Sequence, residues 1–229
     1  MMNQWHSDSL HHLSDIRYNQ VIRLGEVCHY QEEHARHVAK LAMLLYDQLI
    51  ELYRLPESNR ECLEAASLLH DIGFFISHAR HHRHSYYLIR NSEHLAGFSR
   101  REVEIIAQVA RYHRKSVPKL KHSEFCRLDS ADRDLVRMLA AILRVADSLD
   151  RTHKSAIQNL RCQAAPAELN IFLETRDGKD PPLEIYKAES RRGLLEEILG
   201  KKVSLRFEPW VVAFSQGIQA GGFLSAESR

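Results

Sequence analysis

The sequence predicts a mainly α-helical bundle that carries a small C-terminal α/β appendage. Two observations lead there. Apolar residues recur at three- and four-residue spacing from about Ser14 to His153, the repeat of amphipathic helices. After Ser155 the pattern changes to short apolar runs separated by Gly- and Pro-containing turns, which read as strands and a short helix. The expected organisation is a helical unit over residues 1–155, an α/β unit over 156–208 and a tail over 209–229.

The first strong helix places His34, Val38, Leu41, Leu45, Leu49 and Leu52 along one stripe, and Pro56 closes it. A second, from about Glu57 to Ile72, turns Cys62, Ala65, Ala66 and Leu69 inward, with Gly73 as its stop. Ser99 and Glu102 have the spacing of a capping box, opening a third helix with Val103, Ile106, Ala107 and Ala110 on one side. The fourth, from about Asp132 to Arg151, is apolar over so wide an arc that it is expected at the centre of the core. Beyond it, Leu169–Glu174 and Leu183–Tyr186 read as strands joined by a turn over Arg176–Pro182. A helix of about Ser190–Leu199, stopped by Gly200, and a strand Val203–Phe207 follow. From Pro209 onward no periodicity is visible, and Gly217, Gly221 and Gly222 suit a segment that is mobile or pinned by a partner.

Composition excludes several classes. With 44% hydrophobic and 27% charged residues the chain is that of an ordinary globular protein. A formal net charge of +2 gives no electrostatic case for nucleic-acid binding. No apolar run approaches the roughly 18 residues of a membrane span, and the polar stretch Met1–Leu13 has no secretory h-region. Cys28, Cys62, Cys126 and Cys162 are far apart and form no CxxC pair, which fits a reducing cytoplasm better than a disulfide framework or zinc ribbon. The 15 histidines stand out, because imidazole is the commonest metal ligand in proteins.

Their placement suggests one centre. His70-Asp71 ends the apolar run Leu68-Leu69, and a buried Asp requires a partner, whether hydrogen bond, counter-ion or metal. His34 lies near the middle of its helix's apolar stripe, whereas His37 sits toward the edge beside Arg36 and Lys40. Asp147 follows Val136, Ala140 and Leu143 on one line of the fourth helix, where an unpaired carboxylate is costly. Asp150, three residues on, competes for the same role.

The order His34, His70-Asp71, Asp147 resembles the H…HD…D signature of the HD superfamily of metal-dependent phosphohydrolases. Further segments narrow the resemblance: Cys28-His29-Tyr30, Leu69-His70-Asp71-Ile72-Gly73, Gly97-Phe98-Ser99, Arg111-Tyr112-His113-Arg114-Lys115 and Leu143-Arg144-Val145-Ala146-Asp147-Ser148-Leu149-Asp150-Arg151. Together they are similar to the C-terminal HD-type domain of the exopolyphosphatase and guanosine-pentaphosphate phosphohydrolase family. The resemblance implies an HD-domain helical bundle holding a divalent cation on His34, His70, Asp71 and Asp147. Polyphosphate cleavage in that family belongs to an actin-like N-terminal half that is not seen here, so the expectation is an HD module without that half.

His84 and His113 fall where two-metal HD enzymes place extra ligands, and His113 continues the inward line of Val103, Ile106 and Ala110. With both bound, Asp71 bridges two ions about 3.5–4 Å apart; with one ion, the two imidazoles face the substrate phosphate as donors or acid catalysts. His78, His81 and His82 crowd the loop beside His84. The implied chemistry is metal-assisted attack of water on phosphorus. Arg114 and Lys115 are the candidate phosphate-binding cations, while Arg144 and Arg151 share heptad spacing with Arg137 and suit a solvent-facing stripe equally well. Donors without thiolate fit Mn, Mg, Fe, Co, Ni or Zn. The expected function is therefore hydrolysis of a phosphoester or phosphoanhydride of a nucleotide or related small phosphorylated molecule, by a cytoplasmic protein that forms homodimers. A regulatory metal-binding module without turnover and an HD-type di-iron oxygenase are the alternatives.

Overall fold

The computed structural model describes residues 13–53 and 59–208. The expectations for Pro56, Glu57 and the tail from Pro209 lie outside the described residues. Within them the chain is mainly helical with one small sheet. Helix α1 spans Asp15–Val27, α2 Glu32–Tyr53 and α3 Arg60–Leu69. A 3-10 turn, Ile72–Phe75, leads to α4, His81–Arg90, and a second, Glu93–Leu95, precedes α5, Arg100–Tyr112. The short α6, Ser123–Cys126, precedes α7, Ser130–Ser148.

Helix α7 is the centre of the core, as its wide apolar arc predicts. Val136, Leu139, Ala140, Ile142, Leu143, Val145 and Ala146 are all fully buried, and α2 and α5 pack against it from two sides. The start of α7 is capped by Asp129, whose carboxylate accepts the Asp132 N–H at 2.8 Å. The capping box of α5 also forms: the Ser99 hydroxyl accepts the Glu102 N–H at 3.2 Å, and the Ser99 N–H donates to the Glu102 carboxylate at 2.7 Å. Helix α1 is fastened to this frame by Arg17, which pairs with Glu61 on α3 and with Glu102 on α5.

The C-terminal part differs from expectation in two elements. Strand β1, Ile157–Ala164, escapes sequence detection because its burial does not alternate cleanly. It pairs antiparallel with β2, Glu168–Thr175, through a register shift between Ile157 and Asn159. Leu183–Tyr186, expected as a strand, lies inside helix α8, Pro182–Glu189. Pro182 suits a first helical turn, and the buried side chains are Glu184 and Ala188, four apart, while Leu183 and Tyr186 are 45% and 64% exposed. The apolar run thus turns outward, and Thr152 Oγ1 donates to buried Glu184 at 2.6 Å. Helix α9 begins at Gly193 rather than Ser190 and ends at Leu199. Gly200 follows it with φ +63°, the left-handed cap position. Strand β3, Lys202–Phe207, pairs parallel with β2, which is therefore the middle strand.

The sheet shares the helical core: Ile157, Leu160, Leu169, Ile171, Leu173, Val203 and Leu205 belong to the same buried cluster as the α7 side chains. Helix α2 also closes the outer edge of β1 with one side chain. Gln48 donates to the Leu160 carbonyl at 3.0 Å and accepts the Cys162 N–H at 2.7 Å, which blunts an edge otherwise open for pairing. Gln48→Leu is expected to leave both backbone groups without these partners and to cost about 1–3 kcal/mol. Thermal unfolding should show a midpoint lowered by several degrees. An unchanged midpoint would mean that Gln48 does not hold the sheet to α2.

Candidate metal centre

Four side chains from three helical segments meet in the core. His34 comes from the first turn of α2, His70 and Asp71 from the end of α3, and Asp147 from the last turn of α7. His70 Nε2 stands 3.4 Å from Asp71 Oδ2 and 3.6 Å from Asp147 Oδ1. His34 Nε2 is 4.0 Å and 3.7 Å from the same two oxygens. These separations are too long for direct hydrogen bonds and suit donors arranged around an ion. One ligand atom from each residue lies within 4.8 Å of all the others.

A second group shares Asp71 and uses its other oxygen. Asp71 Oδ1 is 3.3 Å from His81 Nε2 and 3.2 Å from His113 Nε2. His113 follows directly on α5 and is fully buried, while His81 is the first residue of α4. The two oxygens of one carboxylate thus face two sets of imidazoles, the geometry of a bridge between two ions.

The backbone sets the direction of every imidazole. Nδ1 of His70 lies 2.7 Å from the Ser67 carbonyl and Nδ1 of His113 2.6 Å from the Ala110 carbonyl. Nδ1 of His81 lies 3.2 Å from the His78 carbonyl. Since a carbonyl only accepts, each Nδ1 carries the proton and each Nε2 presents a lone pair to the centre. His34 is held instead by a carboxylate, with Nδ1 2.8 Å from Asp150 Oδ2. His34 Nε2, His70 Nε2 and Asp71 Oδ1 are buried without a hydrogen-bond partner. Lone pairs converging in a dry core repel unless a cation or proton lies between them.

The titration of the groups carries the same message. Burial pulls His70 down, yet the Asp71 and Asp147 carboxylates outweigh it and raise its pKa to about 10. Burial pushes Asp71 and Asp147 up, and the surrounding imidazoles overcome it, holding both carboxyls well below the usual range. Such a site demands positive charge, which a divalent ion supplies with the oxygen and nitrogen donors present.

The surroundings revise several sequence expectations. Asp150 lies behind His34, orienting it, and also accepts the Ser155 N–H at 2.8 Å; Asp147 alone of the two belongs to the cluster with His34, His70 and Asp71. His84 is half-buried on α4 and belongs to neither group, and His81 occupies the place expected for it. The buried face of α4 runs through His81, Ser85 and Ile89, and this four-residue spacing was the available signal for His81. His84 is turned from His81 by about 60° around the helix. Arg114 Nε stands 3.7 Å from Asp147 Oδ2, at the edge of the centre. Lys115 is exposed with φ +60°. Arg144 is buried rather than solvent-facing, and donates to the Tyr112 and Lys115 carbonyls at 2.9 and 3.3 Å. Arg151 is exposed, as the solvent-facing alternative expects. His153 was not foreseen: its ring stacks on His34 at 3.8 Å between centroids.

A family model described as Ppx/GppA phosphatase, domain III, matches residues 16–186. A guanosine-5'-triphosphate,3'-diphosphate pyrophosphatase of Pseudoalteromonas translucida is 32% identical over 136 residues, covering 59% of this chain and 26% of that protein. The same-named protein of Vibrio vulnificus is 26% identical over 177 residues, covering 76% of this chain and 34% of that protein. The chain therefore matches only about a quarter to a third of the length of these relatives. A dihydroneopterin 2',3'-cyclic phosphate phosphodiesterase of Methanocaldococcus jannaschii is 29% identical over 174 residues, covering 72% of this chain and 64% of that protein.

The close approach of α4 to the His70-Asp71 turn depends on Gly73, which is not a helix stop but lies within the 3-10 turn. A Cβ there would stand 2.0 Å from the His81 carbonyl oxygen and 2.5 Å from the Ser85 nitrogen. The Gly73 N–H also donates to the Ser85 hydroxyl, which donates in turn to the His70 carbonyl at 2.7 Å. Gly73→Ala is expected to push α4 and His81 away and to cost about 1–3 kcal/mol or more. A thermal midpoint equal to that of the parent would show that the contact is not tight.

Proposed function

The chain belongs to the Ppx/GppA phosphatase domain III family, and we propose that it is an HD-type, metal-dependent phosphohydrolase acting on a nucleotide or a related small phosphorylated molecule. One observation carries the reading: the two oxygens of Asp71 are turned to two separate imidazole groups, Oδ2 toward the Nε2 atoms of His34 and His70 and Oδ1 toward those of His81 and His113. His34, His70, Asp71 and Asp147 would hold one divalent ion, and Asp71, His81 and His113 a second. Ions so held polarise phosphoryl oxygens and lower the pKa of the water they bind to about 7 in favourable sites.

The protein's own part is positional. Asp71 and Asp147 keep their charge at neutral pH because the imidazoles around them depress their pKa values. The carbonyls of Ser67, His78 and Ala110 and the Asp150 carboxylate fix the four rings, so little reorganisation is needed when substrate enters. Arg114 is the best-placed cation for a substrate phosphate, since its guanidinium already reaches the Asp147 side of the centre. Lys115, exposed beside it, is the secondary candidate. Among the described residues no helix is long and apolar enough to cross a membrane.

A second reading concerns the bond cleaved. The phosphodiesterase relative is matched over 64% of its length, against 26% and 34% for the pyrophosphatases, which favours including cyclic phosphodiesters among the substrates. A screen of nucleoside polyphosphates, phosphomonoesters and 2',3'-cyclic phosphates with Mn, Mg, Fe, Co, Ni and Zn tests both readings. Absence of metal-stimulated phosphate release or ring opening across the panel would favour a module without turnover.

Two variant sets test the assignment of residues. His70→Ala and Asp71→Ala should each lose bound metal and reduce turnover by several orders of magnitude; retained metal with unchanged turnover in both overturns the site. His81→Ala should lower the metal content at saturation from two ions to one per chain, whereas His84→Ala should keep two. Elemental analysis with the opposite pattern would return the role to His84.

A further inference from the structure

Helix α2 borders a second recess, on its side toward α3 and the sheet. A cavity of about 380 Å³ lies there, between α2, α3 and the start of the sheet, a volume suited to a small ligand. Its lining is segregated. Ala39 and Met43 of α2, with Leu68 of α3, supply an apolar wall. Lys40 of α2 and Arg176, just after β2, supply positive charge, and among the described residues neither has an ion-pair partner. Burial and the neighbouring Arg176 together depress the Lys40 pKa, so the two cations are close enough to repel. His37 completes the polar part: it is 8% exposed, and its Nε2 is buried with no hydrogen-bond partner.

The remaining charged groups on the lining do not answer these cations. Arg36 is bound to the Glu32 carboxylate at 2.7 Å and to the Tyr18 hydroxyl. Glu33 is exposed. Glu64 is buried on α3 and accepts the Leu13 N–H at 3.2 Å. Lys40, Arg176 and His37 therefore favour an anion at the end of the cavity toward the sheet.

We propose that this cavity is a second ligand site, separate from the metal centre, for a small amphipathic anion: a phosphate or carboxylate head at Lys40, Arg176 and His37, with an apolar body against Ala39, Met43 and Leu68. An anion there relieves the repulsion between the two cations and gives the His37 ring nitrogen a partner. An apolar body covers what remains accessible of that wall, at about 25 cal/mol per Å². The site shares a wall with the metal centre. Ser155 lines the cavity, and its N–H is bound to Asp150, which holds His34.

The test uses the full chain, with metal in place and again after chelation, and two probes, phenylphosphonate and benzoate, with benzyl alcohol as the neutral control. Calorimetry should give saturable 1:1 binding of at least one anion in both metal states, and no measurable binding of the alcohol. The arm that binds more tightly identifies the head group as phosphate-like or carboxylate. Lys40→Gln combined with Arg176→Gln should weaken that binding about tenfold or more; both positions are solvent-accessible, and a matching thermal midpoint checks that the variant is folded. The proposal is overturned if neither anion saturates at concentrations on the order of 10 mM. It is also overturned if the double variant binds as the parent does. Binding that disappears on chelation would belong to the metal centre and overturns it as well.

Discussion

Two carboxylates, Asp71 and Asp147, face imidazole Nε2 atoms inside a core of Leu, Ile, Val and Ala, and the rest of the structure depends on making that tolerable. An isolated carboxylate in such a place is costly enough that it would normally neutralise instead. Here both are held ionised, and each imidazole has its second nitrogen committed to a carbonyl or to Asp150. The arrangement stores unmet demand for positive charge at one point. That demand explains why histidine rather than lysine surrounds the carboxylates: lysine would neutralise them and leave no lone pairs for an ion.

Holding such a cluster together requires rigid supports that do not share one local flexibility. The clustered side chains arise on α2, at the end of α3, at the start of α4, after α5 and on α7, so no single helix can carry the cluster away. Helix α7 must be apolar over most of its circumference because it is surrounded, and Asp147 sits within its last turn, itself buried. The α3–α4 connection is the tightest point. Gly73 and Ser85 bring the α4 backbone against the His70-Asp71 turn, and this contact places His81 across Asp71 from His70.

Much of this was legible from spacing. The stripes of α2 and α7 select His34 and Asp147 because a charged or polar residue in the middle of an apolar line needs a partner, and the two lines meet in the structure. The α5 capping box and the inward line ending in His113 were equally direct. Other features were not legible for identifiable reasons. His81 lies in a run rich in histidines, where only the four-residue face through Ser85 and Ile89 singles it out. Leu183–Tyr186 has the residues of a strand, but Pro182 starts a helix there, and its burial follows Glu184 and Ala188, an acid and a small residue, rather than Leu183 and Tyr186. β1 was hidden because α2 covers it through Gln48, a polar contact that leaves no alternating pattern.

Arg144 shows how a cation beside a centre of this kind can serve without touching a substrate. Heptad spacing with Arg137 suggested a solvent-facing stripe, and Arg137 does reach outward to Glu197 at 2.7 Å. Arg144 instead lies in the core, where burial lowers its pKa to about 10, and spends its donors on the Tyr112 and Lys115 carbonyls. Those carbonyls flank His113 and Arg114. One buried guanidinium therefore fixes the stretch that carries the imidazole facing Asp71 and the guanidinium beside Asp147. The left-handed backbone at Lys115 follows from the same anchor, since the chain must turn sharply once its carbonyl is held inward. The division of labour is physical: a desolvated arginine with fixed acceptors is a poor phosphate ligand but a good clamp, and the half-exposed Arg114 that it positions keeps its charge available at the edge of the centre.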